Sequence, residues 1–224
     1  MAINLVKGQK INLEKDGGKK LTHFCVGCNW GAITVPVKKL FGFVNTTETK
    51  NVDLDLSCIM VDANGEMCDH IYSPLYRQEF LKSNNLPLGK LDSKDAALHH
   101  SGDDREGDVG GDDGLDNEII TVNLTRVSEN VAQIFFFLNN CGPEDFSLIP
   151  YAAIRMYEGT PSRVDNIFAA YNVATEASYR GMRSLIMGKL YRHDNNWKFS
   201  AIGDAYPDPN IALTIKRILQ TYAR

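Results

Sequence analysis

The chain has 224 residues, with 43% hydrophobic and 23% charged residues and a formal net charge of −4 at pH 7. These proportions exclude a chain that is disordered throughout, and the length allows a large core. The sequence has no apolar run long enough for a membrane span or a signal peptide, and its five cysteines are an odd number. We therefore expect a cytoplasmic protein with reduced thiols.

Alternating apolar residues predict strands in the first part of the chain. We expect short strands at 3–6 and 10–13, then a turn at 16–18 and a strand buried on both faces at 21–30. The basic and polar stretch 36–52 predicts a long loop between strands.

Residues 52–62 predict a strand with two different faces. Asp53, Asp55 and Ser57 fall on one face, and the apolar residues between them fall on the other. Two carboxylates near its start predict a solvated beginning, and the apolar residues 59–61 predict a buried end. A hairpin turn at 62–65 then leads to a partner strand at 66–72.

The rest of the chain predicts an irregular loop at 73–98 and, after the acidic residues that follow, more strands. The strands are expected at 119–124, 131–138, 148–157, 164–173, 184–191 and 197–202, with Trp197, Phe199 and Ala201 in the interior. The period then changes to that of a helix, with Asp208 as its N-cap and Pro209 as its first residue. One helix face carries Ile211, Ile215, Ile218, Leu219 and Tyr222.

Many short strands and one clear helix predict a mainly β fold. We expect a β-sandwich of two packed, mostly antiparallel sheets with a C-terminal amphipathic helix. The chain 1–224 is expected to form a single domain, with long loops at about 36–52 and 73–118.

The residues Ser101–Glu118, called the acidic segment below, concentrate the negative charge of the chain. The segment holds eight carboxylates, one arginine and five glycines, so it contributes −7, and the rest of the chain carries 23 cations against 20 anions. Such a segment cannot bury apolar surface, so it is either a solvated loop or folded around a cation. The small remaining positive charge argues against a large nucleic-acid-binding face.

Charge repulsion favours the cation. Two carboxylates about 6 Å apart repel by roughly 3 kcal/mol at an effective dielectric constant near 20. The segment runs directly into the strand predicted at 119–124, so its carboxylates cannot simply disperse. Ca²⁺ takes 6–8 oxygen ligands, whereas Mg²⁺ prefers few protein ligands, and the sequence has no EF-hand pattern.

Three other patterns in the sequence give weaker evidence for a metal site or a catalytic site. Cys25 and Cys28 form a C-x₂-C pair without a second pair at zinc-site spacing, and no helix follows them as in thioredoxin-like proteins, so we interpret them as core residues of a strand. Asp53 and Asp55 have the spacing of haloacid-dehalogenase-type phosphatases, but the expected βαβ alternation is absent. His99 and His100 lack a nucleophile elbow, and we interpret them as loop residues.

Four separated motifs together resemble the TerD-like tellurium-resistance family. They are MAINLVKGQKINL at 1–13, DLDLS at 53–57, HSGDDREGDVGGDDGLDNEII at 100–120 and KLYRHDNNWKFSAIGDAY at 189–206. The likeness covers nearly the whole chain in order, and the long acidic motif and the insertions resemble the TerZ-type branch.

The resemblance implies a β-sandwich that binds two Ca²⁺ ions. It also implies a role in bacterial resistance to tellurite and other stresses, without established catalysis. The ligands that it implies are Asp53, Asp55, Asp103, Asp104, Glu106, Asp108, Asp112, Asp113, Asp116 and Glu118. The chain departs from the family pattern at Gly31 and at Tyr171–Asn172, where acidic residues are common.

The leading hypothesis is therefore a Ca²⁺-binding stress protein that acts by metal-dependent conformation and by contact with other proteins of the same system. The alternative is a metal-dependent phosphohydrolase that uses Asp53, Asp55 and the acidic segment. A third hypothesis is an interaction module whose acidic segment is disordered.

Overall fold

A computed structural model describes residues 3–4, 7–14, 18–39, 44–172, 177–194 and 196–224. Fourteen strands and two α-helices lie within these residues. The strands are β1 Ile3–Asn4, β2 Lys10–Asn12, β3 His23–Trp30, β4 Ile33–Lys39, β5 Val44–Lys50, β6 Leu54–Val61, β7 Met67–Ile71, β8 Leu98–His100, β9 Glu118–Asn123, β10 Gln133–Asn140, β11 Ala152–Thr160, β12 Arg163–Asn172, β13 Ser184–His193 and β14 Asn196–Tyr206. The helices are α1 Gln78–Ser83 and α2 Ile211–Thr221.

Two six-stranded sheets form the predicted sandwich. Sheet A has the strand order β1-β12-β11-β3-β9-β8, and sheet B has the order β2-β14-β13-β10-β6-β7. The strand pairs are antiparallel except that β1 runs parallel to β12. The mostly antiparallel β-sandwich with a C-terminal helix is therefore confirmed.

The third layer consists of helix α2, which covers the outer face of sheet B. Ile211, Ile215 and Ile218 pack in one cluster with Phe135 and Phe137 of β10. The alternate residues of β10, Ile134, Phe136 and Leu138, lie in the larger core between the sheets. A strand buried on both faces needs an unbroken apolar run, which explains the sequence from 134 to 138.

Helix α2 begins later than the sequence predicts. Asn210 is the N-cap, and its side chain accepts a hydrogen bond from the backbone N–H of Leu213. Asp208 is buried instead against Arg217, whose Nη2 lies 2.6 Å from its Oδ1. An aspartate that pairs with a guanidinium gains a charge-assisted bond, so the cap role passes to Asn210, two residues later.

Two predicted loops contain regular structure. Strands β4 and β5 form a two-stranded antiparallel ribbon where 36–52 was expected to be a loop. Threonine and valine, which both strands contain, favour an extended backbone, although the charged residues of this stretch suggest a loop. The stretch 73–98 holds α1 and the first residue of β8, and the expected strand at 148–157 begins only at Ala152, after a 3₁₀ turn at Phe146–Leu148.

None of the helices in the described residues is long and apolar enough to cross a membrane. Among the residues predicted to be interior, Phe199 and Ala201 are buried in the core, and Trp197 packs against it while partly exposed.

Candidate metal centre

Three carboxylates from two distant parts of the chain form a first cluster. Asp53 precedes β6, Asp55 lies within it, and Asp103 belongs to the acidic segment between β8 and β9. One oxygen from each lies within 4.8 Å of the others. Two oxygens on opposite sides of a Ca²⁺ ion are about 5 Å apart, because each lies 2.3–2.6 Å from it. The spacing therefore fits a calcium ion.

Burial makes the negative charge of this cluster unfavourable without a cation. Burial, and next the neighbouring Glu118, raises the pKa of Asp55 to about 7. Burial and Asp103 also raise the pKa of Asp53. Asp53 Oδ1 is buried and has no hydrogen-bond partner among the described residues. An acceptor in this state is what a bound cation would satisfy.

The strand that carries Asp55 is buried along its whole length, contrary to the prediction of a solvated beginning. Asp55 is 4% exposed and Ser57 is fully buried. The thiol of Cys141 donates to Asp55 Oδ2 at 2.9 Å, and the hydroxyl of Tyr76 lies 3.5 Å from the same sulfur. The polar face is covered because residues that precede α1 fold over it.

A cleft of about 520 Å³ opens beside the first cluster. The three carboxylates line it together with Arg77, Arg105 and Cys141. Arg105 Nε lies 3.9 Å from Asp53 Oδ2, which is a long and exposed ion pair. The cluster is therefore accessible from solvent on its cleft side.

Asp108, Asp112 and Asp113 form a second cluster within the acidic segment, by the same 4.8 Å criterion. Asn29 of β3 supports it, because its Nδ2 donates to Asp112 Oδ1 at 2.8 Å. Asn29 is 3% exposed, and its Oδ1 is buried without a hydrogen-bond partner in the described structure. A neutral oxygen of this kind is a further candidate ligand.

Hydrogen bonds hold the second cluster in place. Tyr151 donates its hydroxyl to Asp108 Oδ2 at 2.9 Å, and Asn117 Nδ2 donates to Asp108 Oδ1 at 3.0 Å. The backbone N–H of Trp30 donates to Asn117 Oδ1 at 2.9 Å. The acidic segment is thus bonded to β3 by side chains as well as by its backbone.

The backbone of the acidic segment also holds both ends of the β4–β5 ribbon. The Ala32 N–H donates to the Asp108 carbonyl at 2.9 Å, and the Val52 N–H donates to the Glu106 carbonyl at 3.2 Å. Ala32 directly precedes β4, and Val52 lies two residues after the end of β5. Any cation that orders the segment would therefore also fix the base of the ribbon.

Four of the ten predicted ligands lie outside both clusters. Asp104 accepts a hydrogen bond from the Glu106 N–H at 2.9 Å in a local turn, and the carboxylate of Glu106 is exposed. Asp116 is 8% exposed and pairs with Arg155, whose Nε lies 2.9 Å from Oδ1. Burial raises the pKa of Asp116, although Arg155 lowers it. The bulk of Asp116 fits only because residue 27 is glycine, whose Cβ would lie 2.0 Å from Oδ2.

Glu118 links the two chain segments that form the first cluster. Its Oε2 accepts from the Leu56 N–H at 2.6 Å, and its Oε1 accepts from the Asp104 N–H at 3.0 Å. His100 Nε2 lies 3.4 Å from Oε2. Burial lowers the pKa of His100, but Glu118, the Leu56 carbonyl and Asp55 together raise it above its usual value, and burial raises the pKa of Glu118. Both oxygens of Glu118 are therefore already bonded within the protein.

Sequence reasoning missed the neutral residues of this region: Asn29, Asn117, Tyr151, Tyr76 and Cys141. A polar residue at the end of an apolar strand was the available signal for Asn29. Gly31 stands where the family pattern often has an acid, and it has no side chain to bind a metal. An acidic residue would not fit there, because a Cβ at this position would lie 2.5 Å from the ring of Tyr151.

The cysteines and histidines do not form a metal site in the described structure. Cys25 and Cys28 point to opposite faces of β3, one to an outer cluster and one to the core, which confirms their interpretation as strand residues. His99 and His100 lie in strand β8 rather than in a loop. The clusters found contain only carboxylates, and such hard oxygen donors fit Ca²⁺ rather than a soft metal.

The chain is similar to known proteins along nearly its whole length. The family model described as the TerD domain matches residues 1–216. The chain is 32% identical to "Stress response protein SCP2" of Bacillus subtilis (strain 168), over 97% of this chain and 99% of that one. It is 30% identical to "Tellurium resistance protein TerZ" of Serratia marcescens, over 91% and 90% of the two chains.

A solved structure resembles the fold. It is the crystal structure of a homologue of the telluride resistance protein TerD from Streptomyces coelicolor A3(2), with a TM-score of 0.57. That alignment covers 87% of this chain and 95% of the other at 14% identity, so it supports the fold alone.

Proposed function

This chain belongs to the TerD family, and from that premise we propose that it binds two calcium ions and acts in a bacterial tellurite and stress response. Its action is by calcium-dependent conformation and by contact with partner proteins in the cytoplasm, without catalysis. The observation that carries this proposal is the first cluster, where Asp53 and Asp55 meet Asp103 from fifty residues away and Asp53 Oδ1 lacks a hydrogen-bond donor among the described residues.

In this proposal Asp53, Asp55 and Asp103 hold one ion, and Asp108, Asp112 and Asp113 hold the other with Asn29 Oδ1. Calcium would supply the positive charge that these crowded carboxylates, of which Asp55 is buried, lack. The other four acidic residues do not bind the ions directly in this proposal. They support the site through hydrogen bonds, ion pairs and the negative charge of the acidic segment, and they are Asp104, Glu106, Asp116 and Glu118. Metal binding would stabilise the folded protein because the unfolded chain separates the ligands.

The cleft beside the first cluster supports contact with a partner. Arg77 and Arg105 line it, and Leu75, which also lines it, is 64% exposed. Apolar and charged groups beside a metal-dependent loop are suited to a partner that recognises the calcium-bound form. The partner would be another protein of the same resistance system.

Calorimetric titration with CaCl₂ tests the proposal. We expect two bound ions and a higher melting temperature in millimolar calcium. Asp103→Asn should weaken binding at one site by tenfold or more, whereas Glu129→Gln, which alters an exposed carboxylate outside both clusters, should leave both sites unchanged. The absence of both heat and thermal stabilisation would exclude calcium binding.

The phosphohydrolase alternative needs turnover instead of binding. Hydrolysis of a generic phosphate ester that requires a divalent metal and is lost in Asp53→Asn would favour it. Calcium binding without turnover would favour the non-catalytic proposal.

A further inference from the structure

A separate candidate site lies at one end of the sandwich and shares no lining residue with the two carboxylate clusters. A cavity of about 280 Å³ opens where the end of β2 and the start of β14 meet the start of β3 and the end of β9. This volume is close to the lower end of the range, about 300–1,000 Å³, of pockets that hold small ligands. The floor is apolar, with Leu13, Leu21 and Leu124 buried beneath it.

The lining carries more positive than negative charge. Lys20, Arg192 and Lys198 line the cavity, and among the described lining residues Glu14 is the one carboxylate. The side chains of Lys20 and Lys198 have no ion-pair or hydrogen-bond partner within the residues that the structure describes, although Glu14 lies opposite Lys20 across a β-bridge. The cavity is therefore suited to an anion.

Arg192 adds a fixed charge. Its guanidinium donates to the carbonyls of Val131 at 2.8 Å, Ser128 at 3.1 Å and Val127 at 3.2 Å. These acceptors are neutral, so they hold the guanidinium in place without cancelling its charge. An arginine held in this way contributes to an anion site without losing side-chain entropy on binding.

The cavity also has an aromatic side chain in its lining. Trp197 lines it, packs partly against the core, and has the Arg192 guanidinium 4.5 Å from its ring centroid. Asn196, the adjacent lining residue, has a buried Oδ1 without a partner in the described structure. An aromatic ring orients a planar ligand, and the Asn196 oxygen, as an acceptor, would take a donor group of that ligand rather than its anionic group.

We propose that this cavity binds a small planar organic anion. The ring of the ligand would contact Trp197 and the apolar floor, and its phosphate or carboxylate group would face Lys20 and Lys198. This site stands independently of calcium binding.

Nuclear magnetic resonance of the indole N–H groups tests the site. The chain has two tryptophans, and Trp30, fully buried with its Nε1 bonded to the Val52 carbonyl at 2.8 Å, serves as an internal reference. Titration with phenyl phosphate and with benzoate should move the Trp197 signal saturably and leave the Trp30 signal in place. The Trp197→Phe variant assigns the signal, and the anion that binds more tightly identifies the acidic group that the site prefers.

Charge variants make the test specific. Lys20→Gln and Lys198→Gln should each weaken binding at least about fivefold, the equivalent of one unit-charge contact in water. Lys19→Gln removes the same charge from an exposed neighbour outside the cavity and should not weaken it. Unchanged melting temperatures would show that the variants fold.

Four results would overturn the proposal. They are the absence of a saturable Trp197 shift with both anions at millimolar concentration, equal affinity for neutral phenol or benzamide, the same shift with inorganic phosphate alone, and equal weakening by Lys19→Gln. The second result would indicate a purely apolar pocket, and the third a simple anion patch.

Discussion

Glu118 illustrates, at the scale of a residue, why composition alone does not identify a ligand. The resemblance implied that it binds metal, and it lies at the end of the acidic segment. It is 1% exposed, and its two oxygens accept backbone hydrogen bonds from Leu56 and Asp104. Sequence gives no measure of this burial, because the bonds come from chain segments that are far apart before folding.

Replacing Glu118 by glutamine should destabilise the protein even without calcium. The amide keeps one acceptor but turns a donor toward a backbone N–H, so one buried N–H loses its partner. We expect a loss of about 1–3 kcal/mol in the free energy of unfolding, measured by urea denaturation in EDTA. Glu129→Gln, on an exposed side chain, is the control. A loss no larger than in the control would show that Glu118 does not hold the two segments together.

His70 predicts a second residue-scale effect, on pH. It is 6% exposed, and its Nε2 lies 2.8 Å from the Leu88 carbonyl. Burial lowers its pKa from 6.5, helped by Lys90 and Lys94, and the Leu88 carbonyl and Asp69 only partly oppose this. The unfolded chain therefore binds a proton at a higher pH than the folded protein does.

The sign of the pH effect follows from this difference. The stabilising contribution is fully present above pH 6.5 and is lost as the pH falls through 6.5 toward the lowered pKa of the folded state. The free energy of unfolding of the unmodified protein should thus fall more steeply between pH 7.5 and 5 than that of His70→Gln. Denaturation at several pH values measures both slopes, and parallel slopes would contradict the prediction.

At the scale of an element, the glycines of the acidic segment have different roles. Gly107 has a φ of +71°, and a Cβ there would lie 2.6 Å from the ring of Trp30. Gly110 has a φ of +94°, but a Cβ there would meet nothing within 4 Å. Gly110 is needed only for its backbone conformation, whereas Gly107 is needed both for its backbone conformation and for the close approach of the Trp30 indole ring.

This pair gives a matched prediction. Both alanine variants bear the strain of a positive φ, about 1–2 kcal/mol, but Gly107→Ala should lose more stability and should also shift the Trp30 fluorescence. Urea denaturation and emission spectra measure the two effects. If Gly110→Ala lost as much stability as Gly107→Ala and shifted the Trp30 fluorescence as far, the contact between the acidic segment and Trp30 would not contribute to stability.

Elements buried on one or two faces were predictable from sequence. The period of α2 and the unbroken apolar run of β10 follow directly from which faces they cover. The β4–β5 ribbon was missed although Ile33 and Val35 of β4 contact the core and alternate with exposed residues, because β5 is polar and gives no such pattern. Its positions in the sequence, with Pro36 and several threonines, are compatible with either a loop or an exposed strand.

The candidate site was predictable as a set and not as a geometry. The family resemblance grouped Asp53 and Asp55 with the acidic segment, and the structure brings both next to Asp103. The division into two clusters depends on where Asn29, Asn117 and Tyr151 hold the chain. Those neutral side chains come from other elements, so their effect appears only in the folded protein.

For the whole molecule, the first cluster connects the two sheets. Asp55 belongs to β6 of sheet B, and Asp103 follows β8 of sheet A. Under the proposed function, an ion at this position would stabilise the whole sandwich and not only the acidic segment. A ligand at 100 times its dissociation constant adds about 2.7 kcal/mol to the free energy of unfolding.

Amide hydrogen exchange tests this global effect. Phe136 lies in the centre of sheet B, with its backbone between β6 and β13. In saturating calcium its amide should exchange about 100-fold more slowly under conditions where exchange requires global unfolding. Slowing confined to residues 101–118 would mean that calcium orders the segment without joining the sheets.

The strand order also has a consequence for biosynthesis. Trp30 of β3 pairs with Ala152 of β11, and Ile11 of β2 pairs with Phe199 of β14. Ribosomes add about 5–20 residues per second, so these early strands wait roughly 6 to 40 seconds for partners that have not yet been translated. The nascent chain therefore carries apolar strands with open edges through most of its synthesis, and it can close the sandwich only when its last strands leave the exit tunnel.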